Sequence, residues 1–147
     1  MKDRFSLAIT AGLIGSLIMS VLIEGLHLIP GISIRMIPEI ATLFIGRAAS
    51  TSAAGLLTGH IAHFICGSFV SIGFLAAYEI TGYNYPLIKG AWMGASAWFL
   101  LCGVLAQILG LQIYDKASDT LLLLLTHIAY GVTVGWFMSK YRHREKI

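Results

Sequence analysis

Four apolar runs leave this chain little choice of fold. They occupy residues 5–29, 53–80, 86–111 and 120–139, and each supplies the roughly 20 residues that a helix needs to cross the hydrocarbon core of a bilayer. In that medium a helix is the structure that satisfies the backbone of an isolated segment, because every N–H and C=O bonds within it. Composition agrees: 57% of the 147 residues are hydrophobic and 12% are charged, against roughly a quarter charged in an ordinary soluble domain. The sequence therefore predicts an all-α fold, an integral membrane four-helix bundle, with residues 1–147 as a single transmembrane domain and the lipid bilayer as its first partner.

The longer connection between the first two runs predicts a fifth element. Pro38 suits the first turn of a helix and Gly46 a stop, so residues 38–45 are expected as a short helix. It is too short to span and rich in Ile, Leu and Phe, which places it at the outer interface or folded over the bundle mouth. Gly82, Asn84 and the tyrosines at 83 and 85 suit a tight turn at headgroup level. An even number of spans puts both termini on one side, together with Lys2, Arg4, Lys89, Lys140, Arg142, Arg144 and Lys146, against Arg35, Arg47 and Lys116 on the other. Lys and Arg collect on the cytoplasmic side, so the chain is expected in the cell membrane with both termini cytoplasmic. The cluster around Lys140, Arg142, His143 and Arg144 reads as an orientation signal that touches headgroups, and no nucleic acid partner is expected. The first run lacks a small-residue cleavage pattern and is read as a retained helix. Cys66 and Cys102 lie inside spans and read as small apolar residues.

Against this background the stretch Gly59-His60-Ile61-Ala62-His63-Phe64-Ile65-Cys66-Gly67 stands out. Its imidazoles, three residues apart, share a helix face. Ionisable groups inside a span are costly to hold in hydrocarbon, so they turn to the bundle interior or a cavity and mark a candidate site. Glu24 and His27 repeat the spacing near the outer end of the first run, and His127 follows Thr126 in the fourth. At about 1.5 Å of rise per residue, Glu24, His27, His60, His63 and His127 all fall in the outer half of the bundle, although they come from antiparallel helices. Small residues at Ala8, Gly12, Ser16 and Ser20, at Gly90 and Gly94, and at Gly131 and Gly135 let helices approach closely. Three such stripes predict a homo-oligomer, or a subunit of a larger membrane complex, joined through the first or third long helix. A faint repeat, in which His63-Phe64-Ile65-Cys66-Gly67 echoes His127-Ile128-Ala129-Tyr130-Gly131, would make His63 and His127 equivalent in two halves.

Several chemistries suit this layer. His63 and His127, each followed four residues later by glycine, meet the needs of a haem between two helices, a group suited to electron transfer. A compact site for Zn, Cu or Fe would draw on His60, His63, Glu24, His27 and His127. The di-iron bundle pattern is only partly present, as Glu24-x-x-His27. Without a cofactor, the same groups would form a proton relay or pH-sensitive gate, or would fix the bundle by hydrogen bonds of about 1 kcal/mol or less each. No Ser-His-Asp set, phosphate loop or paired catalytic carboxylate is visible, which argues against hydrolase or ATPase chemistry.

The motifs His63-Phe64-x-x-Gly67 and His127-x-x-Tyr130-Gly131-x-x-x-Gly135 resemble those of a family of small, uncharacterised four-helix prokaryotic membrane proteins, a domain of unknown function. The resemblance extends over most of the spans. It implies the four-helix fold and singles out the two histidines, and it implies no activity.

Overall fold

A computed structural model describes residues 3–142, without the side chain of Arg142. Lys2, His143, Arg144 and Lys146, which with Arg142 carry much of the expected charge asymmetry, lie outside the described residues. Helix α1 is Arg4–His27, α2 is Met36–Ala41, α3 is Ala53–Thr81, α4 is Pro86–Ile108 and α5 is Ala117–Arg142. Helices α1, α3, α4 and α5 are long and apolar enough to cross a membrane, so this is a membrane protein built as an all-α bundle. Among the described residues the only extended pairing is a single bridge, Ile34 with Tyr114.

Local chemistry sets the helix ends. Asp3 caps α1 by accepting from the Phe5 N–H at 2.9 Å, the Ser6 N–H at 3.3 Å and the Ser6 hydroxyl at 2.7 Å. Those bonds, the Ser6 hydroxyl foremost, hold its carboxyl below the ordinary carboxylate value. Ser52 accepts from the Gly55 N–H at 3.1 Å to start α3, and Pro86 opens α4. Three helices differ from expectation, α5 by running three residues beyond 120–139 at each end. Helix α4 stops at Ile108 because Gly110 turns left-handed, with φ +66, although the apolar run continues to Leu111. Helix α2 begins two residues early and ends at Ala41. There the hydroxyl of its C-cap, Thr42, donates to the Glu39 carbonyl at 2.7 Å, while Gly46 leads into a 3-10 turn at Arg47–Ala49.

Close backbone approach organises the bundle. The buried face of α3 reads Gly55, Gly59, His63, Gly67, Ser71, Phe74 and Tyr78, which is a small-residue stripe with His63 at its centre. Gly12 of α1 packs on the backbone of Gly67 and Ser68, and Gly90 and Gly94 of α4 pack on the carbonyls of Gly131 and His127 in α5. In lipid, where apolar side chains gain little by leaving the tails, such contacts hold helices together. The stripes on α1 and α4 that pointed to an oligomer are therefore spent within one chain. Helix α1 packs against α3 and α5, and α5 against α4, whereas α3 and α4 hardly touch. The helices thus form an arc, α3–α1–α5–α4, that is open between its ends.

One end of the arc is capped. Glu39, 4% exposed, accepts from the Arg47 guanidinium at 2.6 Å and from the Gln112 N–H at 3.0 Å. Asp119, 1% exposed, accepts from the Ser33 N–H at 3.1 Å, and Asp115 pairs with Arg35 at 2.6 Å. Buried carboxylates are tolerable only when paired in this way, so the connections before α3 and before α5 are stitched into one cap. Gly59 lets the Ile37 carbonyl approach, and Gly55 those of Ala49 and Ser50. Helix α2 is thereby pressed onto α3, over the bundle mouth.

Candidate functional site

Beneath α2, the arc encloses a cavity of about 190 Å³. Met19, Met36, Ile40, Leu101, Leu105 and Ala106 supply apolar wall, and Ser16, His63, Cys66, Cys102, His127 and Tyr130 supply its heteroatoms. Among the described residues no Asp, Glu, Lys or Arg lines it.

His63 reaches the cavity because its neighbours in the stripe are glycines. Gly59 and Gly67 let α2 and α1 close in above and below, and the imidazole fills the space between them. It is buried, and among the described residues its Nε2 has no hydrogen-bond partner; neither has Ser16 Oγ. The Ser16 hydroxyl occupies the space a Cβ on Gly67 would take, so the two unpartnered groups flank one contact between α1 and α3.

His127 is placed from the other helix pair. Its Nδ1 lies 2.9 Å from the Leu123 carbonyl one turn earlier. A carbonyl only accepts, so Nδ1 carries the proton and, in the neutral ring, Nε2 is left with a lone pair. That nitrogen faces Cys102 Sγ at 3.8 Å, which is a weak donor. Cys102 is aimed there by a turn of π-helix, Phe99–Leu105. The buried positions of α4 run 90, 94, 97, 102, 106, and the step of five is the one the wider π turn permits; such turns recur at functional sites. Tyr130 donates its hydroxyl to the Gly67 carbonyl and so ties α5 to α3 across the cavity.

The expected five-residue layer is only partly assembled. His63 and His127 line one cavity. Glu24 and His27 are exposed on α1, where His27 Nδ1 lies 3.3 Å from the Glu24 carboxylate and its Nε2 contacts the Ile34 carbonyl, fastening the following connection to the helix. His60 is half-buried beside the Phe64 ring, at 6.2 Å between centroids, and does not line the cavity. Gln107 lines a separate polar recess of about 270 Å³ with Gln112 and Tyr114. Among the described residues no group of three or more His, Cys, Asp or Glu is arranged to hold a metal ion, so the compact shell of Glu24, His27, His60, His63 and His127 does not form. Matching depth fixes position along a helix but not the direction in which a side chain leaves it: Glu24 follows the fully buried Ile23 by about 100° around α1. Ser16, Cys66 and Cys102 were missed as site residues. Cys66 carried a signal, since it lies three residues after His63 on the same face; the π turn that aims Cys102 carried none.

Fold and site together define a membrane helical bundle with a largely apolar, partly open cavity lined by two imidazoles. The chain belongs to DUF6789, a family of unknown function, whose model matches residues 2–147. No curated protein and no solved structure matches it.

Proposed function

We propose that this protein binds a small, neutral, largely apolar molecule drawn from the cell membrane, held by hydrogen bonds to His63 and Ser16, with both termini of the chain cytoplasmic. The observation that carries this reading is the pair of buried, unpartnered polar atoms in a wall that is otherwise apolar. Each costs about 1–3 kcal/mol while unsatisfied, and native proteins rarely leave such groups idle. An apolar cavity of about 150 Å³ accepts a benzene ring, so about 190 Å³ suits one substituted ring. Native mass spectrometry of protein released directly from membranes tests the reading: the wild type is expected to carry a neutral lipophile at one per chain, and His63→Leu to lose it. The same occupancy in both, or none in either, would refute it.

A cofactor held by His63 and His127 is a second reading, favoured by the lone pair of His127 Nε2 and the free Nε2 of His63 on one cavity. Pockets for drug-sized ligands run from roughly 300 Å³ upward, more than the about 190 Å³ found here, so a haem would need α3 and α4 to part; a single Zn, Cu or Fe ion would not. Here the imidazoles themselves would serve as ligands, with electron transfer as the function if the group is redox-active. An absorption spectrum with metal analysis of native protein separates this reading from the first, a Soret band or stoichiometric metal being its signature.

A further inference from the structure

The cavity has two hydrogen-bonding poles on different helix pairs. One is Ser16 and His63, on α1 and α3, whose Oγ and Nε2 have no hydrogen-bond partner among the described residues. The other is His127, on α5, whose Nδ1–H is committed to the Leu123 carbonyl and whose Nε2 meets only the Cys102 thiol at 3.8 Å. The second pole is therefore an acceptor without a strong donor. A ligand that completes it must present an O–H or N–H, and to complete the first pole it must carry another polar atom across an apolar body. Among the described residues the cavity wall holds no ionised side chain, so a carboxylate or phosphate would stand uncompensated in hydrocarbon.

The route of entry narrows the class further. Helix α2 lies over the aqueous end, and the buried Glu39 locks it to Arg47 and Gln112. The exposed residues of the cavity wall are Leu43 and Phe44, just past α2, and Cys66, Leu105 and Leu109, beside the gap between α3 and α4, all of them apolar. In a bilayer that rim meets acyl chains. A molecule arriving there is lipid-soluble, and any tail it carries can remain outside between the two helices.

Building on the binding reading above, we propose that the ligand is a lipid-soluble para-hydroquinone: a single ring with a hydroxyl at each end, one donating to His127 Nε2, the other engaging His63 Nε2 and Ser16 Oγ. The quinone form has two carbonyl oxygens and no donor, so it leaves His127 Nε2 unsatisfied. The site is selective for the reduced form.

The test uses decyl-hydroquinone, decyl-benzoquinone and decanol as probes, with the full-length protein in nanodiscs under anaerobic conditions and calorimetric titration as the readout. Decyl-hydroquinone is expected to bind about tenfold more tightly than decyl-benzoquinone, the ratio that about one hydrogen bond sets, and more tightly than decanol. His127→Leu should abolish the difference between the two redox forms, whereas His127→Gln, whose amide oxygen accepts, should retain part of it. If His127→Leu does not fold, the ratio in the wild type decides alone. Equal or tighter binding of the benzoquinone, or decanol matching the hydroquinone, overturns the proposal and leaves the lipophile-binding reading standing. Failure of all three probes to bind removes both.

Discussion

Substituting Gly94 by alanine tests the claim that backbone contact between α4 and α5 builds the site. A Cβ at Gly94 would come inside 3.0 Å of the His127 carbonyl oxygen and crowd the Gly131 α-carbon. These are main-chain atoms of another helix and cannot rotate away, so the helices must part by on the order of 1 Å, forfeiting a quarter to a half of the dispersion well at each contact they share. Overpacking of this kind costs about 1–3 kcal/mol, set against the gain of up to about 1 kcal/mol from replacing glycine inside a helix. Gly73→Ala supplies the control: it lies in α3 with nothing within 4 Å of the new Cβ, and should be neutral or stabilising by up to about 1 kcal/mol. Reversible unfolding in mixed micelles, followed by tryptophan fluorescence, should separate the two variants by about 1–3 kcal/mol. The same variant shifts the His127 backbone, so ligand binding should weaken with it. Equal stability of Gly94→Ala and Gly73→Ala would refute the packing argument.

Three further outcomes are expected. Glu39→Gln removes the charge that holds Arg47 and weakens the bond from the Gln112 N–H, so it should cost about 1–3 kcal/mol and make the connection between α1 and α3 more susceptible to protease; an unchanged digestion pattern would count against a locked cap. Asp3→Ala removes the α1 cap and should lower the Tm at neutral pH. Because the folded state holds the Asp3 carboxyl below its ordinary 3.8, the contribution is complete above that pH and is lost as pH falls through the lowered value, so the two Tm curves should converge in acid. A cysteine placed at Lys116 should react with a membrane-impermeant maleimide from outside the cell and not from the cytoplasm; the reverse would invert the proposed orientation.

The spans were legible because hydrophobic length is a physical requirement of the bilayer: α1 and α3 match their apolar runs within two residues at both ends, and α4 and α5 within three. The third overran to Leu111 because Leu109 and Leu111 are apolar, whereas the geometry obeys Gly110, a left-handed stop between them. The site was half legible. His63 and His127 share a cavity because each lies in or beside a stripe of small residues that draws helices together. Glu24 and His60 have the right depth and the wrong azimuth, and a sequence gives azimuth only relative to a known packing face. The face of α3 was written as glycines at 55, 59 and 67, a pattern more specific than the polar residues around it. Cys102 lay beyond reach, because a π turn changes which residue faces inward without any marked residue to announce it.

What fills the cavity decides the function most directly. A high-resolution density map of the protein in a nanodisc of native lipid should show non-protein density within hydrogen-bonding distance of His63 Nε2, continuing outward between α3 and α4 beside Cys66. A cavity closed by its own side chains, or His63 Nε2 bonded to another protein group with no density beside it, would contradict the claim that this bundle holds a lipophilic ligand.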